Sequence, residues 1–168
     1  MAQYDFDIGI LGGGSAGLTI TAGSAMLGAK TLLIEKEDKL GGDCLHYGCV
    51  PSKTLIRTAH VYHLMREAKR FGLPEVELKP VDYREVTKRI HAVIAEIQQH
   101  DSQERFCKLG AQVVFGDAQF TDEHTVQADG GSYTAKRWVI ATGSGPSVPP
   151  INGLDQTAFI TNKDIYLL

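Results

Sequence analysis

The start of the chain alternates between short apolar runs and one helix-length apolar segment. The run from Asp7 to Leu11 predicts a short buried strand. The Ala-, Leu- and Ile-rich segment that ends near Leu27 predicts a helix, with Gly28 at its carboxyl end. The run from Thr31 to Ile34 predicts a second strand, which ends at Glu35. A βαβ unit of about thirty residues is typical of a parallel, doubly wound sheet.

Two further helices are predicted in the middle of the chain. The pattern from Cys49 to about Arg70 is helical. A long amphipathic helix is predicted from Asp82 to about Leu109, because apolar residues recur there at helical spacing. Asp82 and Glu85 fit a capping box at its start, and Gly110 fits its end.

The remaining part of the chain has β character. Short β-prone runs between Ala111 and Tyr133, separated by Gly and Asp turns, predict an antiparallel meander, and Trp138 to Ile140 predicts another buried strand. We therefore predict a three-layer α/β fold, in which a central parallel sheet carries helices on one face and the β-meander on the other. Residues 1–150 are expected to form this domain, and residues 151–168 a connecting segment.

Composition and charge exclude several classes of protein. The chain has 168 residues, of which 43% are hydrophobic, and its net charge of −3 argues against a nucleic acid partner, because phosphate-binding proteins tend to be basic. No apolar run approaches the length that crosses a bilayer, so no membrane partner is expected. The segment from Met1 to Asp7 is acidic and lacks the basic and apolar regions of a signal peptide, which makes the cytoplasm the expected compartment.

A glycine-rich turn between the first strand and the first helix carries the first chemical signal. Gly12 permits a tight turn, Gly14 lets the backbone approach a pyrophosphate, and Gly17 lets the helix pack closely on the strand. The helix N-terminus offers N–H groups and a partial positive charge to phosphates. Glu35 can accept hydrogen bonds from a ribose hydroxyl and would repel a 2′-phosphate. The pattern favours dinucleotide binding over a glycine turn without a ligand, but it does not separate NAD from FAD.

Two of the three cysteines, Cys44 and Cys49, lie five positions apart. A regular helix would hold their Cα atoms about 8–9 Å apart, whereas a disulfide needs less than about 7 Å. A bond would therefore require a distorted turn, which Gly48 makes less costly. A helix start stabilises a thiolate, and Lys53, four residues after Cys49, could stabilise negative charge there as well.

These cysteines have other interpretations. Unlinked structural cysteines are one alternative. A metal site is disfavoured because four close ligands at the usual zinc spacings are missing, and no metal is predicted. Cys107, near the end of the predicted amphipathic helix, is expected to be an inert small hydrophobic side chain.

A third signal, Ala141-Thr142-Gly143-Ser144, stands at the end of a predicted strand. A small residue, a hydroxyl and a glycine at the carboxyl end of a strand suit the close approach of a nucleotide. This signal is weak alone and becomes useful in combination with the other two.

Together the three segments resemble the pyridine nucleotide-disulfide oxidoreductase family, over nearly all of the chain. The GGxCxxxxCxPSK pattern around Cys44 and Cys49 is far more specific than the glycine fingerprint. Class I of this family includes dihydrolipoamide dehydrogenase and mercuric reductase. Asp43 stands where many members have Thr, and His46-Tyr47 stands where they commonly have Asn-Val. Asp43 is more typical of the mercuric-reductase-like branch.

The resemblance implies a Rossmann-like FAD-binding domain and a route for electrons from NAD(P)H to FAD, then to a Cys44–Cys49 disulfide, then to substrate. It implies that Cys49 is the thiol in charge-transfer contact with the flavin and that Cys44 is the interchange thiol that attacks substrate. Lys53 would lie near the reactive edge of the isoalloxazine. The full set of predicted FAD contacts is Gly12, Gly14, Ser15, Ala16, Glu35, Lys36, Gly42, Asp43, Lys53, Ala118, Ala141, Thr142, Gly143 and Ser144.

Family members are much longer than this chain, so we expect it to be the FAD-binding part of a larger enzyme and inactive alone. The parent is expected to be a homodimer whose final acceptor is a small-molecule disulfide, a metal ion or another electron acceptor. The alternatives are a nucleotide- or flavin-binding fragment without turnover and a stand-alone dithiol sensor.

Overall fold

The computed structural model describes residues 4–168, in which a βαβ unit is followed by a run of helices and then by a run of strands. Met1 to Gln3, which begin the predicted domain and the acidic N-terminus, lie outside the described residues. The strands are β1 (Phe6–Leu11), β2 (Thr31–Glu35), β3 (Ala111–Phe115), β4 (Gln119–Phe120), β5 (Thr125–Ala128) and β6 (Gly131–Ile140). The α-helices are α1 (Ser15–Met26), α2 (Gly42–His46), α3 (Cys49–Arg66), α4 (Tyr83–Gln98) and α5 (Gln103–Lys108), and short 3₁₀ turns lie at Ala68–Phe71, Leu154–Gln156 and Ile165–Leu167.

The chain divides into two compact units, each made of two segments. The first unit runs to Cys44 and also includes Ile97–Gly145, so it contains the whole sheet together with α1 and α5. The second unit consists of Leu45–Glu96 and Pro146–Leu168 and contains α3 and most of α4. The predicted boundary at residue 150 remains a prediction.

A six-stranded sheet in the order β3-β2-β1-β6-β5-β4 forms the first unit. β2 pairs in parallel with β1 and β3, and β1 pairs in parallel with β6. All five residues of β2 are buried, as expected for a parallel strand that is covered on both faces. The βαβ unit and the parallel sheet predicted from the apolar runs are therefore confirmed.

Successive side chains of the parallel strands point to opposite faces of the sheet, and each face has its own core. On the helix side, Ile10 and Leu33 pack with Leu18 of α1 and Phe106 of α5. On the other side, the packed residues come from the parallel strands and from the meander. They are Phe6, Leu11, Leu32, Ile34, Val126, Ala128 and Ala135. The predicted three layers, with helices on one face and the meander on the other, are confirmed.

The extent of the meander was predicted wrongly. β3 does not belong to it, because β3 lies in parallel beside β2 in the main sheet. The meander consists of β4, β5 and the first residues of β6, and β6 continues from Gly131 into the parallel sheet beside β1. A β-prone run looks the same in either setting, since its pairing partner lies far away in the sequence.

The long helix predicted from Asp82 to Leu109 is also wrong, because the structure breaks it into α4 and α5. Ser102 caps α5, and its hydroxyl accepts a hydrogen bond from the backbone N–H of Arg105 at 3.4 Å. Such a side-chain bond offers the backbone an alternative to a continuous helix. The apolar spacing hides this break, because Phe106 of α5 is buried like the apolar stripe of α4.

The predicted capping box of α4 is half present. A carboxylate oxygen of Asp82 accepts a hydrogen bond from the backbone N–H of Arg84 at 3.0 Å. The Glu85 carboxylate instead accepts a hydrogen bond from Lys88 at 2.6 Å. The first part of the box therefore caps the helix, while the Glu85 side chain takes part in a helix-surface ion pair.

The second unit has a small core of its own. Val86 and Ile90 of α4 pack with Tyr166, and Leu55 of α3 lies against them. The Tyr83 hydroxyl donates a hydrogen bond to the carbonyl of Ile165 at 3.0 Å. The C-terminal segment is thereby fastened along α4.

None of the helices in residues 4–168 combines the length and the apolar character that a membrane crossing requires.

Gly9→Ala is expected to lower the free energy of unfolding by about 1–3 kcal/mol. Gly9 faces Trp138 across the β1–β6 pair, and a Cβ at this position would overlap the indole ring. Trp138 is the single tryptophan of the chain, so its fluorescence during urea unfolding measures the effect. Gly23→Ala is the control. A Cβ there meets nothing within 4 Å, and the helical exchange is expected to add about 0.5–1 kcal/mol. Equal stability of the two variants would contradict the packing of Trp138 on β1.

Candidate functional site

The predicted site segments follow the carboxyl ends of neighbouring parallel strands, where open α/β sheets bind their ligands. Backbone hydrogen bonds tie each segment to the next strand. The Gly12 N–H donates to the carbonyl of Ile34, and the Ala141 N–H donates to the carbonyl of Leu11, both at 2.8 Å. The Gly12 turn and the segment from Ala141 are therefore fixed at one edge of the sheet.

The glycine turn leaves no room for side chains at two of its positions. Gly12 has a φ of +102°, and a Cβ there would overlap the carbonyl of Ala141. A Cβ at Gly17 would overlap the carbonyl of Gly12. The residues that the sequence predicted for a tight turn and for close helix packing fill those roles in the structure.

The N-terminus of α1 opens from this turn. Gly14 is the N-cap and has no side chain that could cap the helix. Ser15 and Ala16 form the exposed start of the first turn. Backbone N–H groups at such a start carry partial positive charge and suit a phosphate.

Glu35 at the end of β2 is buried, and backbone groups hold its carboxylate against the glycine turn. One carboxylate oxygen accepts a hydrogen bond from the Gly13 N–H at 2.5 Å, and the other accepts one from the Glu37 N–H at 2.9 Å. Each oxygen has two lone pairs, so a ligand hydroxyl can still donate to this carboxylate. Lys36 beside it is exposed and lies 3.9 Å from the carboxylate of Glu37, a weak surface pair.

A second glycine segment packs on the first, backbone against backbone. The Gly41 N–H donates to the carbonyl of Gly13 at 2.8 Å. Gly42 has a φ of +59°, and a Cβ there would lie 2.7 Å from the Cα of Gly14. The structure thus brings Gly42 and Gly14 together, as expected if both contact one ligand.

Sequence reasoning missed three residues that support this arrangement: Gly13, Gly41 and Gln98. The Gln98 amide donates to the carbonyl of Leu40 at 3.0 Å, immediately before Gly41. Leu40 is buried, and its side chain lies next to Gly13. The Gly-Gly pair at 41–42 was a sequence signal for close backbone approach, whereas nothing in the sequence marked Gln98.

The two motif cysteines lie on different helices. Cys44 is half-buried in α2, and Cys49 is exposed as the first residue of α3. Cys107 is exposed on α5. The helical path is broken at Tyr47 and Gly48, which is the kind of distortion that a bond between the two cysteines would require. The Cys44–Cys49 disulfide itself stays a prediction.

Most of the other predicted site residues are exposed. Asp43 is exposed in the first turn of α2, and Lys53 is exposed one turn after Cys49. Ala118 is half-buried and packs against the meander-side core. Thr142, Gly143 and Ser144 are exposed beyond β6, and Gly143 has a φ of +67°. Their contacts to a cofactor remain predictions.

Within the described residues, no group of three His, Cys, Asp or Glu side chains is arranged to hold a metal ion.

Comparison with known proteins places this site in context. Residues 6–166 match the pyridine nucleotide-disulphide oxidoreductase family. A mercuric reductase from Bacillus cereus is 33% identical over 97% of this chain, and a dihydrolipoamide dehydrogenase from Chaetomium thermophilum is 34% identical over 91%. A dihydrolipoyl dehydrogenase from Bacillus subtilis is 44% identical over 55% of the chain. The chain spans only 26%, 31% and 19% of the lengths of these relatives, respectively.

Gly42→Ala is expected to lower the free energy of unfolding by about 2–4 kcal/mol, because the left-handed backbone and the overlap with Gly14 both oppose the new methyl group. Gly28→Ala separates these two causes. Gly28 has a φ of +83°, but a Cβ there meets nothing within 4 Å, so about 1–2 kcal/mol is expected. Urea unfolding measures both values. A loss at Gly42 no larger than that at Gly28 would contradict the close packing of the two glycine segments.

Proposed function

The chain belongs to the pyridine nucleotide-disulphide oxidoreductases, and from this premise we propose that it is the FAD-binding, redox-disulfide part of an NAD(P)H-dependent enzyme. Members of the family use FAD, with NAD(P)H as the electron donor. The observation that carries the proposal is the backbone-lined cradle formed by Gly12, Gly14 and Gly42 beside the carboxylate of Glu35.

The cradle suits the ADP part of FAD. A pyrophosphate needs close backbone approach and N–H donors, and the start of α1 at Ser15 and Ala16 supplies both without a side chain from Gly14. Glu35 is held at the same turn and can accept from the ribose hydroxyls. Its negative charge opposes a 2′-phosphate, which favours FAD over a phosphorylated dinucleotide.

The proposed contacts to the flavin part of FAD come from the second glycine segment and from residues that follow it. Gly42, Asp43 and Lys53 are proposed to lie along the cofactor, with Thr142 and Ser144 as further contacts. When bound, FAD supplies two-electron transfer between NAD(P)H and the cysteine pair. Lys53 places a positive charge one turn from Cys49, which favours negative charge on that sulfur.

The cysteine pair is proposed to pass the electrons on. Reduction adds two electrons and two protons to the pair. The Cys44–Cys49 bond breaks, and each cysteine then carries a thiol. Cys44 is proposed to attack the acceptor, while Cys49 stays on the flavin side. The acceptor in the whole protein is proposed to be a small-molecule disulfide or a metal ion. The metal-ion acceptor corresponds to the name of the mercuric reductase relative. The whole protein is proposed to be a cytoplasmic homodimer.

Titration with FAD tests the cofactor. The chain is expected to quench flavin fluorescence on binding, and ADP is expected to compete better than its 2′-phosphorylated form. Glu35→Gln is expected to weaken FAD binding by about tenfold or more, because a charged hydrogen-bond acceptor is lost.

Glu37→Gln is the matched control, since it changes an exposed carboxylate two residues away. It is expected to leave the affinity within about twofold of wild type. Absence of FAD binding by the wild-type chain would contradict the proposal. Equal affinities of the Glu35→Gln and Glu37→Gln variants would contradict the role of Glu35. FAD binding without reduction by NAD(P)H would fit the alternative of a flavin-binding part without turnover.

Peptide mapping tests the redox pair. Trypsin is expected to release residues 40–53 as one peptide that contains both Cys44 and Cys49. After mild oxidation this peptide should be two hydrogen atoms lighter and resist alkylation, while Cys107 is alkylated. Cys107→Ser should leave this result unchanged, and Cys44→Ser should abolish it. A peptide that is fully alkylated after oxidation would contradict the redox-disulfide assignment.

A further inference from the structure

The C-terminal segment contacts Tyr47, one of the four residues between the two motif cysteines. The side-chain amide of Asn162 donates a hydrogen bond to the carbonyl of Tyr47 at 3.3 Å. The ammonium of Lys163 lies 5.2 Å from the centroid of the Tyr47 ring, within the range of a cation–π interaction. We call Asn162 and Lys163 the Tyr47 clamp. Its target, Tyr47, follows the last residue of α2.

The clamp residues sit on a hydrogen-bonded turn. The backbone N–H and the hydroxyl of Thr161 both donate to one carboxylate oxygen of Asp164, at 2.7 and 2.8 Å. These two hydrogen bonds hold the pKa of Asp164 below its ordinary value. The Lys163 N–H donates in turn to the Thr161 hydroxyl at 3.2 Å. Asn162 and Lys163 are thus presented by a turn with its own internal hydrogen bonds.

This turn is fixed to α4. Tyr83 of α4 donates its hydroxyl hydrogen bond to the carbonyl of Ile165 at 3.0 Å. Tyr166 is buried against Val86 and Ile90. The contacts therefore run without a gap from the core of the second unit, through the turn, to Tyr47.

Tyr47 lies at the one place where the helical path between the cysteines is broken. α2 ends at His46 and α3 begins at Cys49. Gly48 has φ −131° and ψ −107°, far from helical values. A continuous helix would keep the Cα atoms of Cys44 and Cys49 about 8–9 Å apart, and a disulfide needs less than about 7 Å. The break is therefore a condition for bond formation.

We propose that Asn162 and Lys163 are positioning residues for the redox disulfide, which hold Tyr47 so that the helical path stays broken and the two sulfurs can join. This inference rests on the proposed function, because it assumes the Cys44–Cys49 bond. Loss of the clamp allows the segment to become more helical, which makes the disulfide less favourable relative to the dithiol.

The charge of Lys163 by itself predicts the opposite. A positive charge near the pair stabilises thiolates and so favours the reduced form. Removing only that effect would make the disulfide harder to reduce. The direction of the change therefore separates positioning from electrostatics.

The test measures the equilibrium of the oxidised chain with dithiothreitol. Two thiols of dithiothreitol become its ring disulfide, and the two electrons and two protons convert Cys44–Cys49 to the dithiol. Acid quenching, alkylation and quantification of the 40–53 peptide give the oxidised and reduced fractions. Asn162→Ala combined with Lys163→Met is expected to shift the equilibrium about fivefold or more toward the dithiol, from the loss of one hydrogen bond and one cation–π contact. Tyr47→Ala removes only the ring contact, because the Asn162 hydrogen bond is to the backbone carbonyl, so it is expected to match Lys163→Met alone.

Conservative variants isolate the cause. Lys163→Arg keeps a cation for the ring, and Tyr47→Phe keeps the ring, so both are expected to stay within about twofold of wild type. Lys79→Gln removes the same charge from an exposed position of the second unit and is expected to have no effect. Thermal unfolding shows that each variant is folded. If the double variant does not fold, the dithiothreitol equilibrium of the Lys163→Met variant tests the proposal instead.

The outcomes distinguish a failure of the proposed function from a failure of the Tyr47 clamp. A wild-type chain that never forms the Cys44–Cys49 bond overturns the proposed function, and the clamp with it. A wild-type chain that forms the bond, with an unchanged equilibrium in the clamp variants, overturns only the clamp. A shift toward the disulfide also overturns it, in favour of a purely electrostatic role for Lys163.

Discussion

The close approach of backbone to backbone at the carboxyl edge of the sheet is the constraint on which the candidate site depends. The Gly12 turn lies against the carbonyl of Ala141, and Gly14 lies against Gly42, with no space for a Cβ between them. These contacts keep side chains out of the region in front of α1. Polar backbone groups can therefore face a ligand there, which is what a pyrophosphate requires. The glycines matter as much for how the loops pack on each other as for what they bind.

Glu35 connects this packing to ligand choice. Its carboxylate accepts hydrogen bonds from the Gly13 and Glu37 N–H groups, so its position depends on the glycine turn and in turn supports it. A buried carboxylate needs such partners, because an unpaired charge is costly away from water. The interaction that orders the turn thus also places a negative charge where an adenosine ribose would bind. The side chain that orders the glycine turn is therefore also the one proposed to select the ligand.

The second unit contributes contacts to the loop between the two cysteines. Its core holds the turn at 161–166 against α4, and this turn reaches Tyr47 in the loop between the cysteines. The CxxxxC spacing is incompatible with a disulfide in a regular helix, so some contact must favour the broken path over the helical one. Gly48 lowers the cost of the break, and the Tyr47 contacts supply a reason for it to persist. The proposal thus gives the residues between the cysteines a structural role beside the cysteines themselves.

The sequence by itself determined the βαβ unit, the glycine turn and Glu35 at the end of β2, because each depends on local propensity or on short spacing. It also carried the family resemblance through the cysteine motif. Tertiary structure alone decided that β3 joins the parallel sheet and that β6 serves both sheet and meander. It also decided the contacts of Gln98, Asn162 and Lys163. These features depend on partners 58 to 129 residues away in the chain, and no local pattern records which distant backbone or ring a side chain will meet.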